Sequence, residues 1–130
     1  QFNTTFYFIS PDELKMPNEY KIYLNNIGLK YYEHKEFTDI IDDADIIYMT
    51  RVQKERFSDP IEYERTKNAY VLRRKMLDNA KPNMKVLHPL PRVNEIHLDV
   101  DDDKSAYYFP QALNGVYTRQ AIISSILGLK

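Results

Sequence analysis

The sequence predicts an α/β fold of three layers, with helices on both faces of a parallel sheet of four strands, or five. Short β-branched or aromatic runs alternate with amphipathic stretches along the whole chain, and no internal repeat of the solenoid or propeller kind interrupts them. One run, Ile46-Ile47-Tyr48-Met49, is continuously apolar, as in strands buried on both faces. At 130 residues the chain has the size of one domain.

Taken in order, Thr5-Phe6-Tyr7-Phe8-Ile9 is the first strand. Ser10 is placed to cap a helical turn, with Pro11 at its first position and Glu13 three residues after the cap. Pro17 ends that turn and opens a helix that puts Tyr20, Tyr23, Leu24 and Ile27 on one face, with Gly28 as its stop. Residues 29–32 form a second strand, Thr38 caps a short helix over 39–43, and the third strand runs over 46–49. Residues 51–59 carry five charges without periodicity and read as a loop leading into a short helix at Pro60. Residues 73–79 are weakly helical, and Lys85-Val86-Leu87 is a fourth strand. His88-Pro89-Leu90-Pro91-Arg92 suits neither helix nor central strand, because its prolines remove two donors. Residues 99–103 read as an acidic loop, and a long helix over 110–127 closes the chain, with Gly115 weakening its start.

Composition narrows the function. With 18 Lys+Arg against 19 Asp+Glu there is no polybasic field for nucleic acid. Neither an apolar run of membrane-spanning length nor a leader pattern is visible, so the chain reads as soluble. The absence of Cys excludes disulfides, thiolate catalysis and thiolate zinc sites, and fits a reducing compartment. His34, His88 and His97 lack paired ligand spacing, so no metal is expected, and three glycines at 28, 115 and 128 make no phosphate-cradling loop. The chain opens at Gln1 with a strand a few residues in, which reads as a fragment. Eleven Tyr and no Trp carry no functional reading.

Ligands of parallel α/β sheets bind at the carboxyl ends of strands. The segments beginning at Arg51 and at His88 each follow a predicted strand, so they are expected to share that edge. Alternation points Arg51 and Gln53 the same way, a planar cationic fork beside a carboxamide, which suits a small substrate bearing carboxylate and amine groups. Glu55 is near enough to hold Arg51. From charge alone the same segment also reads as a solvated loop. The His88 segment offers carbonyls with few local donors, and either X-Pro bond is open to the cis form. On its own, His88 reads as a hydrogen-bonded structural histidine ahead of a general base.

Tyr48-Met49-Thr50-Arg51-Val52-Gln53-Lys54-Glu55-Arg56-Phe57 and Val86-Leu87-His88-Pro89-Leu90-Pro91-Arg92-Val93-Asn94-Glu95-Ile96 closely resemble the aspartate-binding, C-terminal domain of aspartate carbamoyltransferase catalytic chains. Phe6-Tyr7-Phe8-Ile9-Ser10-Pro11 and Asn114-Gly115-Val116-Tyr117-Thr118-Arg119-Gln120-Ala121 resemble the same family, in order and spacing, so the likeness covers nearly the whole chain. It implies the aspartate/ornithine carbamoyltransferase fold, residues 1–130 as the aspartate-binding domain, and transfer of a carbamoyl group from carbamoyl phosphate to L-aspartate in pyrimidine synthesis. It further implies a cytoplasmic enzyme without cofactor, a catalytic homotrimer, and regulatory subunits in some assemblies.

By the same resemblance Arg51 binds the aspartate carboxylate and Gln53 is its polar neighbour, while the carbonyls of Pro89 and Leu90 hold the carbamoyl NH₂ group and the Leu90-Pro91 bond is cis. Glu55 and Arg56 orient Arg51 and tie the loop to the other domain on closure, and Glu62 and Tyr63 lie in the segment that moves. The departures are large. The family's phosphate-gripping Ser-Thr-Arg-Thr segment, its oxyanion-stabilising Arg and His, a Lys from the neighbouring subunit and a further aspartate-binding Arg belong to the N-terminal carbamoyl-phosphate domain, which is absent from this chain. Asn94 stands where some members carry Asp, beside the partner of Arg56. The ornithine branch resembles a Cys-containing segment in place of His88-Pro89-Leu90-Pro91 and fits less well.

The chain is therefore expected to be inactive alone. The competing reading is a non-catalytic half-chain that complements a separate N-terminal domain or regulatory subunits. In the closing helix Val116, Ile122, Ile123, Ile126, Leu127 and Leu129 share one broad arc that also contains Arg119. From this pattern the N-terminal domain is expected to cover the arc and supply a carboxylate to Arg119.

Overall fold

The computed structural model describes residues 3–53, 57–67 and 70–129. The chain divides into two compact units, Gln1–Asp43 and Ala44–Lys130.

In the first unit, β1 (Thr5–Ile9) and β2 (Lys30–His34) pair in parallel, with Thr5 opposite Lys30 and Ile9 opposite His34. Their connection carries α1 (Asn18–Asn26), as a parallel crossover requires. Part of the tyrosine content works here: Tyr7 and Tyr32 are cross-strand partners with rings stacked at 5.6 Å, and Phe8 lies 6.0 Å from Tyr31. Gly28 ends α1 as expected. Its φ of 73° lets its amide bond the Asn25 carbonyl and that of Leu29 bond the Leu24 carbonyl, closing the open helix end. Three expectations change. Of the predicted α1 face only Leu24 is buried, while Tyr20, Tyr23 and Ile27 stay about half exposed, because nothing within this unit covers them. The turn after Pro11 is Asp12–Leu14, without a side-chain cap from Ser10. Thr38 lies inside a 3₁₀ turn, Phe37–Asp39, which Glu36 precedes.

The second unit is built on β3 (Ile46–Tyr48) and β4 (Lys85–Leu87), also parallel, with Ile47 opposite Val86 and Tyr48 opposite Leu87. Ala106 adds a further parallel rung to Val86, through Val86 N–H to the Ser105 carbonyl and Tyr107 N–H to the Val86 carbonyl. The buried side chains of this unit include Val86, Ile47, Leu72, Met84, Ile96, Val100 and Tyr108. A fully buried aliphatic side chain of this size stabilises by about 1.5–3 kcal/mol. β3 is not covered on both faces: Ile47 and Met49 are buried, but Ile46 and Tyr48 are more than half exposed, the alternation of a strand covered on one side.

α2 (Pro60–Thr66) starts at Pro60 as expected and is capped by Asp59, whose carboxylate accepts from Ile61 N–H at 2.8 Å. A 3₁₀ turn, Arg74–Leu77, replaces the weak helix. α3 (Tyr108–Ile126) begins two residues earlier than expected, because Pro110 falls in its first turn, where no amide is needed. It stops at Gly128 with the same bond pattern as α1. Gly115 sits inside it, and a Cβ there would come within 3.0 Å of the Arg119 guanidinium.

The alternating, parallel α/β character is as read from the sequence, but the pairing is not one four-stranded sheet. Among the described residues the strands form two two-stranded sheets, β1 with β2 and β3 with β4, one in each unit.

Candidate functional site

Parallel pairing of β3 with β4 makes both chains leave the second unit's sheet at one edge. Tyr48 is paired with Leu87, and Met49 N–H donates to the Leu87 carbonyl at 2.9 Å. The segments starting at Arg51 and His88 therefore emerge side by side, as expected. Arg51 is exposed and Gln53 half-buried; Lys54, Glu55 and Arg56 lie outside the described residues. Beyond them, Phe57 packs edge-on against Tyr63 of α2, ring centres 5.7 Å apart.

The other segment is held along its length. Gln111 of α3 reaches both strand ends: its carbonyl oxygen accepts from His88 N–H at 2.8 Å, and its amide donates to the Tyr48 hydroxyl at 3.4 Å. The His88 ring is buried, accepts from Leu90 N–H on Nδ1 at 2.9 Å and lies 2.7 Å from Glu95 Oε1 through Nε2. Because Nδ1 must keep a lone pair for Leu90, the ring proton sits on Nε2 and is donated to the carboxylate. The other Glu95 oxygen accepts from Val93 N–H at 3.1 Å and from Asn94 N–H at 3.0 Å. Burial pushes the Glu95 carboxyl up, and the bonds from backbone amides and from His88 outweigh it, leaving it below the ordinary carboxylate value. His88 is thus a structural histidine of the turn.

Leu90 has a positive φ of 49°, and the Leu90-Pro91 peptide is cis. Among the described residues no hydrogen-bond donor lies on the Pro89 or Leu90 carbonyl. Two carbonyls follow each other in a turn fixed by side chains, with neither proline able to donate, an arrangement suited to accepting from a ligand's NH₂ group.

Past the prolines, Arg92 enters a charged knot. Its Nη2 donates to Asp101 Oδ2 at 2.6 Å, its Nη1 bonds Asp101 Oδ1, and the Tyr108 hydroxyl donates to that same oxygen. The guanidinium also stands 5.4 Å from the Tyr108 ring centre and 5.9 Å from that of Phe109. The hydrogen bond from Arg92 holds the Asp101 carboxyl below its usual range, while burial and Asp101 push the Tyr108 hydroxyl up to about 12. The acidic stretch read as a loop is a hub: Leu98–Val100 is a 3₁₀ turn, Asp99 accepts from Arg74 N–H, and Asp103 accepts from Ser105. Gln111, Asp101 and Tyr108 were not legible as parts of this site, since each is contributed from a distant stretch of chain. Glu95 stood within the quoted motif, and its one signal was an acidic group just after a donor-poor turn.

Among the described residues no cluster of His, Asp and Glu is placed to hold a metal ion, and no helix is long and apolar enough to cross a membrane.

A parallel pair whose carboxyl edge carries a guanidinium loop and a proline turn defines an α/β domain of the ligand-binding kind. A family model described as the aspartate/ornithine carbamoyltransferase Asp/Orn-binding domain matches residues 1–126, and the chain belongs to that family. It is 64% identical over 129 residues to the aspartate carbamoyltransferase catalytic subunit of Bacteroides thetaiotaomicron, covering 98% of this chain and 41% of that protein. It is 51% identical to that of Clostridium novyi over 128 residues, covering 98% of this chain and 42% of the relative. The chain thus spans about two fifths of the length of these curated relatives. Among solved structures, the catalytic subunit of M. jannaschii aspartate transcarbamoylase superposes with a TM-score of 0.86 at 41% identity, over 97% of this chain and 40% of that one. The Trypanosoma cruzi enzyme in complex with carbamoyl phosphate and aspartate gives 0.81 at 30% identity, over 92% and 40%.

Proposed function

We propose that the chain is the aspartate-binding domain, residues 1–130, of an aspartate carbamoyltransferase catalytic chain, which transfers a carbamoyl group from carbamoyl phosphate to L-aspartate. The observation that carries this reading is the shared carboxyl edge of β3 and β4, which sets the Arg51 loop beside the held turn at Pro89 and Leu90. Arg51 takes the aspartate carboxylate through two parallel N–H bonds, and Gln53 adds a polar contact. The Pro89 and Leu90 carbonyls accept from the carbamoyl NH₂ group and so fix the plane of the carbon under attack. The amine of aspartate adds to that carbon, and phosphate leaves.

Orientation is this domain's share of catalysis. Grip on the phosphate and stabilisation of the oxyanion fall to the N-terminal carbamoyl-phosphate domain and a neighbouring subunit. Glu55 and Arg56 orient Arg51, and Glu62 and Tyr63 move with closure. The exposed apolar arc of α3, with Val116, Ile122, Ile123 and Ile126, supports a covering domain. The complete enzyme is a cytoplasmic homotrimer, with or without regulatory subunits.

The test compares the complete catalytic chain with the 130-residue chain. The complete chain should form N-carbamoyl-aspartate, and the short chain should do so only after the N-terminal domain is added. A complete chain inert toward aspartate, or turnover by the short chain alone, overturns the reading.

A further inference from the structure

The geometry points to Glu95 as a positioning residue for carbamoyl transfer: by fixing the ring tautomer of His88 it holds the Leu90 amide, and with it the directions of the Pro89 and Leu90 carbonyls. This rests on the function proposed above and extends it to a group that touches no substrate.

The chain of contacts is short and buried. Glu95 and His88 are 6% and 1% exposed, so neither has water as an alternative partner. One carboxylate oxygen takes the His88 Nε2 proton, and the other takes two backbone amides, Val93 and Asn94. With its proton on Nε2, His88 offers Nδ1 to Leu90 N–H at 2.9 Å. That bond fixes the Pro89–Leu90 peptide plane and with it the Pro89 carbonyl, and the Leu90 carbonyl follows directly from Leu90, which sits at a φ of 49°, uncommon for a residue with a Cβ.

The carboxylate matters here for its two acceptors, not for its shape. A glutamine of the same size has one acceptor and one donor. If its oxygen serves the Val93 and Asn94 amides, its NH₂ faces Nε2, the ring proton moves to Nδ1, and Leu90 N–H loses its acceptor. If its oxygen faces His88, its NH₂ meets two backbone N–H groups. Buried donors are stranded in either case, the Leu90 amide in the first and the Val93 and Asn94 amides in the second, and only the first case reaches the ligand-facing turn through the imidazole.

The experiment uses the complete catalytic chain with carbamoyl phosphate and aspartate. Glu95→Gln should lower kcat at least tenfold with KM for aspartate within about threefold of wild type, because aspartate still finds Arg51 while the carbamoyl group is misaligned. Nitrogen NMR of the His88 ring should show the Nε2–H tautomer in wild type and Nδ1–H in Glu95→Gln, with faster exchange of the Leu90 amide. His88→Ala should lose kcat similarly. His88→Asn should recover most of that loss, since an asparagine oxygen can accept from the amide two residues on without help from Glu95. Unchanged kcat in Glu95→Gln, a lowered kcat with the wild-type tautomer, or no recovery from His88→Ala to His88→Asn overturns the inference. The two histidine variants decide it if Glu95→Gln fails to fold. A wild-type chain inert toward aspartate overturns the functional reading itself, whereas an active wild type with an indifferent Glu95→Gln overturns only the role of Glu95.

Discussion

Arg92 and Asp101 face each other fork to fork, two guanidinium nitrogens on two carboxylate oxygens, with the Tyr108 hydroxyl donating to one of those oxygens. The pair joins the end of the proline turn to the acidic 3₁₀ turn and to the first residue of α3. The side chains are 14% and 26% exposed, so the contact is sheltered enough to count.

Asp101→Asn should therefore destabilise the chain by about 1.5–3 kcal/mol, the range for hydrogen bonds to charged groups. The shift of the urea midpoint at constant slope measures it. A loss under about 0.5 kcal/mol would reduce the pair to the level of a surface ion pair.

Acid should act on the same contacts. The Asp101 and Glu95 carboxyls are both lowered in the folded chain, Asp101 by the hydrogen bond from Arg92, Glu95 by backbone and His88 bonds that overcome its burial. A lowered carboxyl stabilises above its unfolded value, about 3.9–4.3, and loses that contribution as pH falls through its still lower folded value. Unfolding midpoints should hold level above about pH 5 and fall below about pH 4, less steeply in Asp101→Asn. A fall already beginning near neutrality would place the weak point elsewhere.

In the complete enzyme Arg51→Ala should cost about 3–5 kcal/mol in kcat/KM for aspartate, since a substrate carboxylate is left without its counter-charge. Lys54→Ala should stay within about threefold, because no substrate contact is assigned to Lys54. Steady-state kinetics of the two variants decide it, and equal losses would reject the assigned roles.

Ile126 is 78% exposed at the end of a helix whose apolar arc is left open among the described residues. The 130-residue chain should self-associate as its concentration rises, and Ile126→Ser should weaken that association. Sedimentation velocity over a concentration series is the check. A wild-type chain that stays monomeric with α3 ordered would show the arc to be satisfied without a partner.

Local patterns were legible where the cause is local. Gly28 could be named as a helix stop because a left-handed residue closes the open carbonyls whatever surrounds it. Pro60 likewise marked the start of α2. The shared edge of the Arg51 and His88 segments followed from strands that alternate with helices and so must run parallel. Burial was read less well. Ile46 and Tyr48 are as apolar as Ile47, but composition does not say whether a second face finds a neighbour.

The sequence by itself determined the order of strands and helices, the breaks at Pro17, Gly28 and Pro60, the donor-poor turn at Pro89 and Pro91, and the family to which the chain belongs. Each rests on backbone chemistry that acts over a few residues, or on motifs long enough to be recognised. Only the tertiary structure decided that His88 gives its ring proton to Glu95 and its lone pair to Leu90, that Gln111 spans two strand ends, and that the acidic stretch closes on Arg92. A histidine tautomer or a carboxylate's partner depends on which donors the fold carries within about 3 Å, and that proximity is set by packing between elements distant in sequence.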